Sequence, residues 1–329
     1  MSDKQKERNP NKTQGLVFFK PNVQEEVGEK ELYPFEKVDQ ENKIKLEYSF
    51  KPFGEHYLYS ILLINQSSAP ITEVKIKVKF PEFLTLKRCA PPLINIPTTM
   101  EEKGKKQINI EYDEFNENSK RQINLHFAPL LVKKSGEIRT FVTFVNNKDY
   151  VRVLNSEPVE INVEKVEITP KIIPSFQITK ILQVPGIKKA MKSFGISTNL
   201  EVDLSFYFNI VEQMFRSYDF QLIAKDINKN IIWYFGTDIE TQKDILVIGQ
   251  LVSNKVEIIA SSQNHDLIIS LLTQITNDFK DRILRRGIVN SIDDIHELEC
   301  KYCGAILPYF PDKGESIECQ NCKYEQVLW

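Results

Sequence analysis

Near its C-terminus the chain reads Cys300-Lys-Tyr-Cys303, then fifteen residues, then Cys319-Gln-Asn-Cys322. Two C-x2-C pairs at this separation constrain the fold more than any other feature. Each short turn aims two thiolates at one point, and two such turns face to face complete a tetrahedron around a metal ion. The pattern predicts one Zn2+ held by Cys300, Cys303, Cys319 and Cys322. With four thiolates and no position left for water, the site is expected to be structural. Gly304 after the first pair suits the tight knuckle, whereas Lys323 occupies that place after the second. Ile306, Tyr309, Ile317 and Tyr324 are expected to line the short strands of a zinc ribbon spanning 297–329.

The fifth cysteine, Cys89, stands alone before Ala90-Pro-Pro92 and reads as a part-buried free thiol. An odd count with four in one cluster indicates metal binding in a reducing cytoplasm rather than a disulfide framework. The N-terminal segment MSDKQKERNPNKTQG has no apolar signal core, and no apolar run reaches the ~20 residues of a membrane span. Lys and Arg total 43 against 45 Asp and Glu. That balance, and the acidic Glu299, Asp312, Glu315, Glu318 and Glu325 around the cysteines, argue against phosphate contacts and for protein partners.

Residues 1–41 are polar with charges of both signs, as expected for a flexible tail. Only Leu16-Val-Phe-Phe19 could dock as an edge strand. Removing residues 1–40 is expected to leave the melting temperature within about a degree or two. From 42 to 169 strands dominate. Ile44, Leu46, Tyr48 and Phe50 alternate with polar residues, as do Val74, Ile76, Val78 and Phe80 with Lys75, Lys77 and Lys79. Further strands are expected at Tyr57–Ile64, Gln107–Tyr112, Arg121–Phe127, Glu137–Val145 and Val159–Ile168. Short strands with turn chemistry between them predict an immunoglobulin-like β-sandwich. The lysines along 75–79 are expected to discourage edge pairing.

Pro170, Pro174 and Pro185 mark a connector over 170–186. From 187 to 290 the pattern predicts an α+β platform. A short helix over Ile187–Phe194 comes first, then a strand through Leu200–Phe208 and a helix capped by Asn209. Four strands follow: Phe220–Asp226, Ile231–Phe235, Ile245–Val252 and Lys255–Ser261. A last helix runs from the cap Asn264 through Ile268, Leu272, Ile275, Phe279 and Ile283. The predicted fold is therefore multidomain β and α+β: an immunoglobulin-like β-sandwich, a five-stranded antiparallel platform with helices, and a zinc ribbon.

The sequence contains no P-loop, dinucleotide-binding glycine turn or nucleophile elbow. Its four histidines are scattered, and nothing points to an enzyme. A zinc-ribbon protein linked to transcription or RNA handling is the alternative reading.

The segment Leu62-Leu-Ile-Asn-Gln-Ser-Ser-Ala-Pro-Ile-Thr-Glu-Val-Lys-Ile76 resembles the sandwich strands of clathrin-adaptor and related coat large-subunit appendages. Phe220-Gln-Leu-Ile-Ala-Lys225, Asp244-Ile-Leu-Val-Ile-Gly-Gln-Leu251, Val256-Glu-Ile-Ile-Ala260 and the closing helix resemble the platform of the β-type appendages. The resemblance covers roughly 45–287. It implies a protein-interaction module that binds short peptide motifs in trafficking or a coat-like assembly. That family's platform carries a Trp in its first helix that receives aromatic peptide motifs. This chain has Phe194 there, with Met191 nearby, and Trp233 is placed on the adjoining sheet edge. The family lacks the zinc ribbon, so a stand-alone relative without the helical trunk is implied.

Overall fold

The computed structural model describes residues 43–92, 98–101, 105–198, 200 and 202–329. The expected tail and its Leu16–Phe19 motif lie outside them.

The first ten strands are β1 (Ile44–Phe53), β2 (His56–Asn65), β3 (Ile71–Pro81), β4 (Leu84–Ala90), β5 (Thr98–Glu101), β6 (Lys105–Phe115), β7 (Ser119–Pro129), β8 (Lys134–Val145), β9 (Val151–Asn155) and β10 (Val159–Val163). They form two antiparallel sheets, one in the order β1-β2-β7-β4 and one in the order β10-β8-β3-β6-β5, with β9 added to β8. Both sheets are apolar on one face, so each buries that face against the other. Phe80 of one sheet meets Phe127 of the other at a ring separation of 4.8 Å. The buried Tyr59 hydroxyl satisfies itself across the same core, 2.8 Å from Thr140 Oγ1. Lys75 and Lys77 do face solvent, but β3 lies between β6 and β8. They decorate the outer face of an interior strand and guard no edge.

The second sheet system contains β11 (Ile168–Pro170), then α1 (Gln177–Leu182), β12 (Lys188–Ile196), α2 (Leu204–Ser217), β13 (Gln221–Asp226), β14 (Ile231–Asp238), β15 (Asp244–Val252), β16 (Lys255–Ser262), α3 (His265–Arg285) and β17 (Ile295–Glu297). Its seven strands are all antiparallel, in the order β11-β14-β15-β16-β12-β17 with β13 on β14. The expected five strands become seven because β11 and β17, three residues each, extend the two sides of the sheet.

Two elements differ in kind from the sequence reading. The segment expected as a helix over Ile187–Phe194 is β12. Ala190 and Phe194 turn to one face and Met191 to the other, and the strand pairs with β16 on one side and β17 on the other. The alternation expected as a strand over Leu200–Phe208 gives way at Asp203, whose side chain accepts from Ser205 N at 2.9 Å and caps α2. From there Tyr207, Phe208, Ile210, Val211, Met214 and Phe215 are buried at helical spacing. Tertiary contact decides both cases over local pattern.

α2 and α3 cover the inner face of the sheet, where Phe194 packs against Phe279 with ring centres 5.3 Å apart. α3 begins as expected, with Asn264 Oδ1 accepting from Leu267 N. One of its residues, Ile269, leaves this core and enters that of the sandwich. The outer face carries a register row across four strands, Trp233–Ile248–Ile259–Met191. α1 lies over that face with Ile178, Ile181 and Leu182 turned inward.

Candidate metal centre

The C-terminal module has its own small core of Leu298, Cys300, Leu307, Ile317 and Cys319, with Phe310 and Leu328 packed against it. The hairpin β18 (Ser316–Glu318) and β19 (Glu325–Val327) and a bridge between Glu299 and Ile306 frame it. Of the four expected lining residues, Ile317 is buried and Ile306 half-buried. Tyr309 and Tyr324 are instead 40% and 45% exposed. Leu307, Phe310 and Leu328 fill the space assigned to the tyrosines.

Two matching knuckles position the thiols. Gly304 N donates to Cys300 O at 2.8 Å, and Lys323 N donates to Cys319 O at 2.9 Å. Both turns need the left-handed region, with φ of +76° at Gly304 and +63° at Lys323. The second knuckle therefore keeps the geometry of the first despite carrying a side chain. Cys300 Sγ lies 3.6 Å from Cys322 Sγ, and Cys303 Sγ lies 3.6 Å from Cys319 Sγ. All four sulfurs fall within 4.8 Å of one another. A four-sulfur tetrahedron with bonds of about 2.3 Å has edges of roughly 3.8 Å. The four cysteines thus fit a metal ion. Burial works against ionising Cys303, yet donation from the Asn321 amide and Ala305 N–H brings its thiol down to about 6.

A partly buried ionic network joins this module to both neighbours. Glu297, on β17, accepts from Lys87 at 2.7 Å, Lys280 at 2.8 Å and Lys192 at 3.2 Å. Burial opposes its charge, but these cations hold its carboxyl well below the usual carboxylate range. Lys280 thereby serves Glu297 rather than the C-terminal dipole of its own helix. Glu299 accepts from Arg88 at 2.6 Å and from His56 Nε2 at 3.0 Å. Arg88 also donates to His126 Nδ1 at 3.2 Å, which requires a neutral His126. Burial, then the Arg88 charge, push the His126 imidazole down to about 4. Glu55, His56 and Glu299 form a second group with metal-ligand atoms within 4.8 Å. Arg88 on Glu299 and Lys192 at 3.8 Å from Glu55 already satisfy its carboxylates. Sequence reasoning missed this network because its partners come from β2, β4, β12, α3 and β17, and no local spacing relates them.

Close approach completes the docking. A Cβ on Gly195 would lie 2.0 Å from the Phe310 ring, and one on Gly304 would lie 1.3 Å from Arg88 Nη1. Trp329 stacks on both His296 and Phe310, with ring centres at 4.3 and 4.7 Å.

The residues expected to receive a peptide do not share a surface. Phe194 is fully buried on the inner face, while Met191 and Trp233 sit half-buried on the outer face. At the junction of sheet and metal module lies a cavity of about 230 Å³ whose lining includes Phe194, Ile196, Leu200, Leu251 and Phe310 beside polar Thr198, Asn254 and Lys255. Cys89 is buried, and burial pushes its thiol up to about 11. Among the described residues no helix is long and apolar enough to cross a membrane.

No protein-family model matches the chain, and no curated protein matches it. Solved structures align only loosely. The macrocyclisation catalyst AvmM of alchivemycin A biosynthesis is 7% identical over 36% of this chain and 89% of its own, with a TM-score of 0.24. The major pilin subunit BcpA of Bacillus cereus is 10% identical over 63% and 58%, at 0.28. The sporulation control protein Spo0M of Bacillus subtilis is 9% identical over 67% and 79%, at 0.18.

Proposed function

We propose that the chain is a non-catalytic, cytoplasmic protein-interaction module of appendage type, held together by one structural Zn2+ at Cys300, Cys303, Cys319 and Cys322. Its partner is a short peptide segment with an aliphatic or aromatic anchor, and the receiving site is the cavity between the sheet and the zinc module. There apolar side chains offer the anchor a seat, and Thr198, Asn254 and Lys255 offer the peptide polar groups. The observation that carries this reading is the cavity itself. About 230 Å³ walled by Ile196, Leu200, Val202, Leu251 and Phe310 accommodates one large apolar side chain. Short peptides draw most of their affinity from one or two such anchors. The four sulfur donors leave the metal no open position, so it supports the far wall of the pocket through Phe310 and takes no part in chemistry. A cytoplasmic setting agrees with five free cysteines.

Calorimetric titration with a panel of short peptides tests the proposal. Peptides with a Leu, Ile or Phe anchor bind, acidic acceptor-rich peptides bind more weakly, and Leu200→Asp costs at least about tenfold. Leu200 is 54% exposed at the mouth of the cavity, so this change leaves the fold intact. Binding that ignores Leu200→Asp, or a panel without a binder, refutes the assignment.

A further inference from the structure

From Ile168 to Leu200 the chain contains no acidic residue but carries Lys171, Lys180, Lys188, Lys189 and Lys192, although acids outnumber Lys and Arg overall by 45 to 43. The structure gives this bias a location. The segment crosses the outer face of the seven-stranded sheet as a strap, with α1 pressing Ile178, Ile181 and Leu182 onto the sheet. Its outward side carries three large apolar side chains. Ile172 is 82% exposed, Phe176 67% and Val184 39%, and Ile172 is the most exposed large apolar side chain among the described residues.

The lysines surround these side chains. Lys180 Nζ stands 5.7 Å from the Phe176 ring centre. Lys171 Nζ stands 5.8 Å from the centre of Phe235, which begins the register row Phe235–Leu246–Ser261–Lys189. Lys171 and Lys189 thus flank the strap from opposite ends of one row. Lys192 is buried against Glu297, and Asp244 offsets Lys171 at 2.8 Å. Lys180 and Lys189 are exposed with no ion pair among the described residues, while Lys188 shares the inner-face alternation of Ala190 and lies away from the strap.

We propose that this strap is a membrane-surface contact for an anionic bilayer. Ile172, Phe176 and Val184 enter the headgroup–acyl boundary, and Lys180 and Lys189 meet the lipid charges. Neither part suffices alone, and peripheral attachment combines the two. The shape selects a bilayer over a peptide. The apolar side chains stand exposed on an element whose underside Ile178, Ile181 and Leu182 seal against the sheet, and a peptide anchor needs a concave pocket. A soft interface does not. The contact is separate from the peptide cavity.

Co-sedimentation of the full chain with phosphatidylcholine vesicles, with and without phosphatidylserine, tests it. Binding is expected only with phosphatidylserine, and it weakens as salt rises. The change Lys180→Glu, Lys189→Glu is expected to lose at least about tenfold, since each lysine near an anionic surface is worth about fivefold. The double change Ile172→Ser, Phe176→Ser loses several-fold at unchanged salt sensitivity. Both variants keep the parental melting temperature because the altered side chains are exposed. Absence of sedimentation with phosphatidylserine, or binding indifferent to both variants, overturns the proposal. So does capture of a soluble polyglutamate peptide by the strap without vesicle binding.

Discussion

Arg88 donates to Glu299 across 2.6 Å, and Glu299 immediately precedes Cys300, the first residue of the metal site. The guanidinium belongs to β4 of the sandwich and is 8% exposed. It also lies against the Gly304 knuckle. One sandwich side chain thus touches both the residue before the first cysteine and the knuckle behind it, beside the contacts that Lys87 and His56 add.

Removing that side chain tests the first contact. Arg88→Ala leaves the Glu299 charge buried with only His56 for a partner, and breaking a buried pair from one side typically costs about 3–5 kcal/mol. Chemical denaturation should show a loss in this range. A loss below about 1 kcal/mol would mean that water replaces the guanidinium at no cost.

Metal removal should act beyond the ribbon. Elemental analysis of protein purified without chelator is expected to find one zinc per chain. Cys303→Ser should abolish binding and open residues 298–328 to hydrogen exchange, since most of the folding free energy of so small a module comes from the metal. The sandwich and the inner-face core of the platform should stay protected, while β17 and the ion pairs of Glu297 loosen with the ribbon. Protection of 298–328 surviving in Cys303→Ser would show that the apolar core alone sustains the module.

The His126 imidazole sets a pH dependence of defined sign. Its pKa is about 4 in the folded chain and about 6.5 when unfolded. Between those values the unfolded state binds the proton and the folded state does not, so stability falls as pH drops from about 6.5 to about 4 and this contribution then levels off. Replacing the imidazole, as in His126→Leu, should flatten the slope by up to one proton. Urea midpoints at pH 7 and 4.5 for both proteins measure it. Identical slopes in the two proteins would show that His126 is not the titrating group.

Phe194→Ala should destabilise by about 3–5 kcal/mol, the usual cost of deleting a fully buried aromatic ring. Thermal and denaturant unfolding measure it. Phe194 also lines one side of the peptide cavity, so the variant enlarges that wall while leaving the other lining residues in place. A small loss in stability with a large loss in peptide binding would instead make Phe194 a direct contact.

The strands of the sandwich were legible wherever one face is buried and the other wet. In β3, for example, Val74, Ile76, Val78 and Phe80 alternate cleanly with lysines. α3 was legible too, because its cap and its apolar stripe agree. The four cysteines were visible as a ligand set from spacing alone. What escaped was decided at long range. β12 is a strand because β16 and β17 hold it, and no property of Lys188-Lys-Ala-Met-Lys-Ser-Phe194 announces either neighbour. α2 starts earlier than its pattern suggests because Asp203 supplies a cap, and Phe206 and Phe208 fit both periods over so short a run. The lysines that meet on Glu297 look in sequence like ordinary solvated charges. Their meaning lies in pairings separated by 17 to 210 residues.

The chain has two tryptophans, and the fold sets them in unrelated surroundings. Trp233 opens the register row beneath the strap, and Trp329 is sandwiched with His296 and Phe310 beside the metal module. Each is therefore a built-in optical probe of one event. Stacking between His296 and Phe310 shields Trp329 while the module is docked, so its undocking should read as a red shift of Trp329 emission. Displacement of the strap should read as a red shift from Trp233. Single Trp→Phe variants would separate the two signals without any attached dye.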